Sequence, residues 1–188
     1  MKTISHQFQQ ADFYIPTWEV QHLFLGTFNP SGGEAVPYYY GRSKNQLWPL
    51  LSKIFGEKFD PNAEGFFELL RKHKVACIDV IDSVTAEEKR MDTITGKGYK
   101  DTAIINGKVF RSYNKTAILN TIANNQGVRV YSTWGKGSSL KAWRNEVSQL
   151  GHITPLVSPS MAAKVPAGAL KFKYMLTDWK SKIRVHFG

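Results

Sequence analysis

Short apolar runs recur along the chain between segments with helical spacing. Four of these runs have the length and the β-branched or aromatic content of buried strands: His22 to Gly26, Lys74 to Val80, Val128 to Ser132 and Ile153 to Val157. Helical patterns lie around them. Asn45 to Phe55 places Leu47, Leu50, Leu51, Ile54 and Phe55 on one stripe. Phe66 to Leu70 reads as the end of a second helix. Asn114 to Ala123 gathers Ala117, Ile118, Ile122 and Ala123 on one side, and Ser138 to Leu150 carries Leu140, Trp143, Val147 and Leu150 behind a Ser cap. Ala169 to Ile183 gives a last helix.

Strands alternating with helices predict an α/β fold. The expected form is a three-layer α/β/α sandwich around a mostly parallel four-stranded sheet, built as one domain over residues 1–188. Ligands of such folds bind at the carboxyl ends of the strands. The segment Glu87 to Arg111 breaks the pattern. It is polar, holds Gly96, Gly98 and Gly107, and reads as a long basic loop or small hairpin turning at Asn106-Gly107.

Composition narrows the class. With 188 residues and 42% hydrophobic content the chain can bury a core. Its one cysteine, Cys77, excludes an internal disulfide, a four-thiolate iron–sulfur cluster and a multi-cysteine zinc site. His6, His22, His73, His152 and His186 have no metal-ligand spacing, so neither metal nor cofactor is expected, and each histidine reads as a core or surface residue. The N-terminus has no apolar leader and no stretch is long enough to span a membrane. A monomer in the cytoplasm, associated with the nucleoid if it binds DNA, is the expectation.

Charge changes the picture most. Lys and Arg number 25 against 15 Asp and Glu, a net charge of +10, and the sequence pI is about 9.7. A polyanion is the partner to test, although solvated surface lysines give the same total.

The loops after the strands hold the candidate chemistry. The first is Gly26-Thr27-Phe28-Asn29-Pro30-Ser31-Gly32-Gly33, which alone reads as an Asn-Pro turn. It leads to Pro37-Tyr38-Tyr39-Tyr40-Gly41-Arg42-Ser43-Lys44-Asn45-Gln46-Leu47-Trp48. Three consecutive tyrosines suit base stacking, with a core role open for one or two of them. The last loop, Ser158-Pro159-Ser160-Met161-Ala162-Ala163, is a small hydroxyl-bearing turn with an apolar tip, suited to gripping a phosphate backbone and pushing a side chain into a base stack. Asp79 and Asp82 stand as a pair of acids at one strand end, Asp82 reading more simply as a cap. Trp134-Gly135-Lys136-Gly137 follows the third strand, either against DNA backbone or as a turn.

These motifs, in this order, resemble the uracil-DNA glycosylase superfamily, in particular its mismatch-specific uracil/thymine and its hypoxanthine (deoxyinosine) branches. Gly26-Thr27-Phe28-Asn29-Pro30 resembles the G-I-N-P-G motif of the former. Tyr40 to Trp48 resembles an aromatic, a small residue, a spacer and N-R-F-W. Ile78-Asp79-Val80-Ile81 is similar to a W-D-V-I strand, and Ser158-Pro159-Ser160 to a final H/N/L-P-S. The resemblance implies a monofunctional DNA glycosylase that flips out a deaminated or mismatched base and cleaves its N-glycosidic bond with water. It implies catalytic roles for Asn29 and Asn45, base contacts from Tyr40, Phe28, Asp79 and Ser158, and DNA contacts from Ser160, Met161, Arg42, Lys44 and Lys136, with no lysine nucleophile.

The chain departs from the family at Gln46-Leu47, where Arg-Phe is usual, and at Ser158, where His or Asn is usual. Serine can hydrogen-bond a base oxygen but cannot carry a positive charge. Two other readings compete. Gly26-Thr27-Phe28-Asn29-Pro30 also resembles the opening of HxGH-type nucleotidyltransferases, but residues 31–41 contain no histidine and the late arginine element is missing. A non-catalytic nucleic-acid-binding member of the glycosylase fold would bind without releasing a base.

Overall fold

The structure is a computed structural model that describes residues 1–96, 103–104, 109–134, 145 and 148–184. In chain order the strands are β1 (Lys2–Ser5), β2 (His22–Gly26), β3 (Val75–Asp79), β4 (Ile81–Ala86), β5 (Val109–Tyr113), β6 (Arg129–Ser132) and β7 (Ile153–Pro155). The helices are α1 (Leu47–Phe55), α2 (Phe66–Lys72), α3 (Met91–Thr95), α4 (Lys115–Ala123) and α5 (Lys171–Lys182).

The four sequence-predicted strands make the central sheet. Its order is β3-β2-β6-β7 and each neighbouring pair is parallel. All residues of β2 and β3 are buried, as expected for strands covered on both faces. Their side chains divide by alternation. Leu23, Leu25, Ala76, Ile78 and Val130 join Ile118 of α4 in one apolar cluster. Phe24, Val75, Cys77 and Tyr131 face the other way, against Leu47, Leu50 and Leu51 of α1, Leu70 of α2, and Met175 and Trp179 of α5. Phe24 stacks between Tyr131, at 5.0 Å, and Trp179, at 5.8 Å.

A second sheet, which the sequence pattern did not predict, has the antiparallel order β1-β4-β5. Two features hid it. Only Val80 separates β4 from β3, so the apolar run read as a strand over Lys74 to Val80 masks the start of a second one. A register irregularity between Ile81 and Ser83 then breaks the alternation and buries both Ile81 and Val84. β1 has only Ile4 as an inward apolar residue, too little to predict a strand. The expected loop after Glu87 is partly replaced by a 3-10 turn at Glu88–Arg90, by α3, and by β5. β5 pairs antiparallel with β4, and the turn expected at Asn106-Gly107 lies outside the described residues. Lys97, Lys100 and Lys108 lie outside the described residues, as does most of the helix expected over Ser138 to Leu150; its end, Ser148–Leu150, is a 3-10 turn.

Candidate functional site

The carboxyl ends of β2 and β3 meet at Gly26 and Asp79, which are paired in register. The loop after Gly26 folds back onto the first strand. Gln7 N–H donates to Asn29 O at 2.8 Å, Ser31 N–H donates to Ser5 O at 2.9 Å, and His6 bridges Pro30. This antiparallel return brings two side chains onto one carboxylate oxygen. Asn29 Nδ2 and His6 Nε2 each donate to Asp79 Oδ2 at 2.9 Å. His6 and Asp79 are both 2% exposed.

Hydrogen bonding fixes the chemistry of this group. Phe8 N–H donates to His6 Nδ1 at 3.1 Å, so that nitrogen is the acceptor and the proton sits on Nε2, facing Asp79. A carboxylate can only accept, so the amide of Asn29 must turn its nitrogen toward Asp79. Its Oδ1 therefore points away from the carboxylate, as an acceptor oxygen on a half-buried side chain. The aromatic rings of Phe8, Tyr14, Phe28 and Tyr39 surround His6 at 5.0 to 5.8 Å.

Glycine at position 26 is a steric requirement. A Cβ there would stand 2.0 Å from Asp79 Oδ1 and 2.6 Å from Tyr40 Oη. The Tyr40 phenol thus approaches the same strand end. Thr133 Oγ1 donates to Leu25 O at 3.1 Å, so Tyr40 Oη donates to Thr133 Oγ1 at 2.7 Å. Tyr40 holds a left-handed backbone, φ 57°, which costs about 1 kcal/mol or more for a residue with a Cβ.

Its two neighbours behave differently. Tyr38 and Tyr39 are 1% and 0% exposed and are core residues, so of the three tyrosines only Tyr40 is placed to meet a ligand. Tyr39 Oη donates to Tyr14 O and Tyr39 O accepts from Trp48 Nε1, which locks this loop to α1. Phe28 is buried edge-on to His6, beneath the site.

Asn45 stands at the start of α1. Its Oδ1 accepts from Leu47 N–H at 2.9 Å, which leaves Nδ2 as its donor. Gln46 N–H donates to Pro159 O at 2.9 Å and so ties that helix start to the last loop. The described contacts do not join Asn45 to the group at Asn29. In the last loop, Ser158 Oγ accepts from Ser160 N–H and Ser160 Oγ accepts from Ala162 N–H. The loop is stiffened from below: Trp179 Nε1 donates to Val157 O, and Asp178 Oδ2 accepts from Val157 N–H, each at 2.9 Å. Met161 is 50% exposed at its tip, and Lys171 Nζ donates to Met161 O.

Of the cations expected on DNA, Lys44 is exposed and Arg42 pairs with Glu34 at 3.4 Å, while Lys136 lies outside the described residues. Trp134 is buried in the core rather than on a DNA-facing surface. Asp82 accepts from Tyr14 Oη at 2.8 Å and from Gln9 Nε2 at 3.0 Å, holding the N-terminal segment over the site instead of capping a helix. Asn114 Nδ2 joins this network, donating to Tyr14 Oη at 2.7 Å and to Asp79 O at 2.9 Å. Burial, helped by the Asp82 carboxylate, pushes the Tyr14 phenol well above its ordinary value, so it remains a donor.

Sequence reasoning missed His6 and Thr133. His6 is a lone histidine 73 positions from Asp79, and nothing local marks it. Thr133 directly follows the third predicted strand, where the position alone was a signal. Among the described residues no group of three or more His, Cys, Asp or Glu could hold a metal ion, and no helix is long and apolar enough to cross a membrane. Cys77 is buried in the sheet and burial raises its thiol well above the usual range, which suits a core residue and not a nucleophile.

The fold has a counterpart among solved structures. A solution structure from Methanosarcina acetivorans, designated a candidate uracil DNA glycosylase, aligns with 87% of this chain and 91% of its own, at a TM-score of 0.50 and 15% identity. The two chains share an α/β fold with a mostly parallel sheet. At this identity the likeness concerns the fold and leaves the branch and the substrate open. No family profile and no curated protein matches the sequence. The group of Asn29, Asp79 and Tyr40 lies at the carboxyl ends of the parallel strands, where ligands of open α/β sheets bind.

Proposed function

We propose that the protein is a monofunctional DNA glycosylase that excises a deaminated or mismatched base of the uracil or hypoxanthine class. The observation that carries this reading is the asparagine at the end of β2, held by a buried carboxylate so that its carbonyl oxygen points away from it. Such an oxygen orients a water by accepting one of its hydrogens, or accepts from a base N–H.

The target C1′–N bond is shielded in a stacked duplex, so the nucleotide must leave the stack. Tyr40 offers a ring for the extruded base, and Met161 a wedge for the gap it leaves. The exposed Lys44 and the Ser160 hydroxyl, which accepts from Ala162 N–H and keeps its own O–H, supply phosphate contacts. As the bond breaks, the base takes the bonding pair and the sugar becomes positive. Water oriented by Asn29 adds oxygen to C1′, and its proton goes in net to the departing base. Asn45 Nδ2 and Ser158 are the candidate donors to a base oxygen. A donor is what a leaving base needs as it becomes negative. The reaction needs no lysine adduct.

The test is a panel of duplexes and single strands carrying uracil, hypoxanthine, xanthine or mismatched thymine, followed by alkaline cleavage of abasic sites. Scission on at least one substrate is expected. Tight DNA binding with scission on none would transfer the fold to a binding role.

A further inference from the structure

A second polar site lies at the opposite, amino-terminal end of the parallel sheet. A cleft of about 360 Å³ is lined by residues that precede or begin the strands: Gln21 and His22 at β2, Lys72 to Lys74 before β3, and Gly127 and Arg129 at β6, with Arg184 beyond α5. Lys72, Lys74, Arg129 and Arg184 bring four cations to it. Two carboxylates offset the lysines. Glu57 takes Lys72 and His73, each at 2.7 Å, and Glu19 takes Lys74 at 2.7 Å. Among the described residues no carboxylate pairs with either arginine.

The floor of the cleft is rigid. Arg129 Nη1 donates to Arg184 O at 2.7 Å, and the Arg129 charge acts on the Tyr131 phenol, whose pKa burial raises. That phenol meets His22 Nδ1 at 3.3 Å, and the His22 ring, 6% exposed, lies parallel to Tyr131 and edge-on to Phe55. A guanidinium carries five N–H donors in a fixed fork, and these contacts use only part of them. Holding it in place removes the ordering cost that a free surface arginine would meet on binding.

We propose that this cleft binds a phosphate group, with Arg129 as its central donor and Arg184 and Lys74 at its rim. The chemistry follows from a pre-positioned guanidinium beside a second arginine that no carboxylate of the described residues pairs, which suits a planar, bidentate grip on an oxyanion. The volume exceeds that of phosphate alone and suits a small phosphorylated ligand. The group can be a monoester on a free nucleotide or a diester of a DNA strand passing over this end of the sheet. The proposal does not rest on the glycosylase reading, since β2 and β3 run their full length between the two sites.

Amide NMR titrations with inorganic phosphate, deoxyuridine monophosphate and a short undamaged duplex test it. Saturable shifts centred on His22, Lys74, Gly127 and Arg129 are expected with the first two probes. Arg129→Gln should weaken them about tenfold or more, and Asn29→Ala should leave them unchanged. Arg184→Gln, whose side chain makes no described fold contact, gives the same direction if Arg129→Gln unfolds. A response to the duplex alone, lost in these variants, assigns the phosphate to a DNA backbone. No saturable response to any probe, or a response that survives both variants, would overturn the proposal.

Discussion

Replacing Asp79 by alanine removes the acceptor on which the whole group converges. Its carboxylate receives two hydrogen bonds of 2.9 Å, from His6 Nε2 and Asn29 Nδ2. Bonds to a charged acceptor contribute about 1.5–3 kcal/mol each. The His6 side chain is fully buried, so its N–H loses its partner with no water at hand, at the full cost of an unsatisfied donor. Asn29 is half-buried and regains a bond to water, so its share is discounted. The expected loss is about 3 kcal/mol in urea unfolding. Asn29 also loses the partner that orients its amide, and misplacement by about 1 Å costs about a hundredfold in rate. Single-turnover base excision, measured well below the unfolding transition, should fall by about that factor while DNA affinity stays within about threefold. The double variant Asp79→Ala/Asn29→Ala should excise no more slowly than Asn29→Ala alone, because the carboxylate acts through the amide. A stability loss below about 1 kcal/mol, or losses in rate that simply multiply, would refute the reasoning.

Other consequences can be checked separately. Gly26→Ala places a Cβ 2.0 Å from Asp79 Oδ1, so stability should drop by about 1–3 kcal/mol and excision should fall with it; unchanged thermal unfolding and rate would contradict the close approach. Tyr40→Phe removes the 2.7 Å bond to Thr133 but keeps the ring, so about 1 kcal/mol should be lost in urea unfolding with base stacking retained. Tyr14, Tyr38, Tyr39 and Cys77 all have folded-state pKa values raised by burial. Their ionisation therefore favours the unfolded chain: stability is full below the unfolded values of 9.0 for the thiol and 10.0 for the phenols and is lost progressively as pH rises from there toward the raised folded values. The unfolding midpoint should fall steeply from about pH 9 upward, and Cys77→Ala should delay the onset toward the phenol range.

The parts of the fold that bury both faces of a strand were readable from the sequence. HLFLG and KVACIDV are continuous apolar runs, and such runs occur where a parallel sheet is covered on both sides. The second sheet was not readable, because β4 follows β3 after one residue and its irregular register hides the alternation. At the site, the loops after β2 and β3 were located by their position, and Asn29 and Asp79 do meet there. The tyrosine run left a core role open for one or two of its members, and Tyr38 and Tyr39 take it by filling the space between α1 and the N-terminal segment. His6 was unreadable in principle. Its role depends on β1 crossing to β4 and on the loop after β2 folding back on it, contacts that only the tertiary structure creates.

The central claim is that Asn29, held by Asp79, directs hydrolytic release of a base from DNA. The most direct measurement is chromatographic detection of free uracil and free hypoxanthine released from defined duplexes by the protein and by Asn29→Ala. The account predicts release of at least one free base by the former and a loss of about a hundredfold or more in the latter, with DNA affinity retained. Release of neither base, or equal release by both proteins, would contradict it.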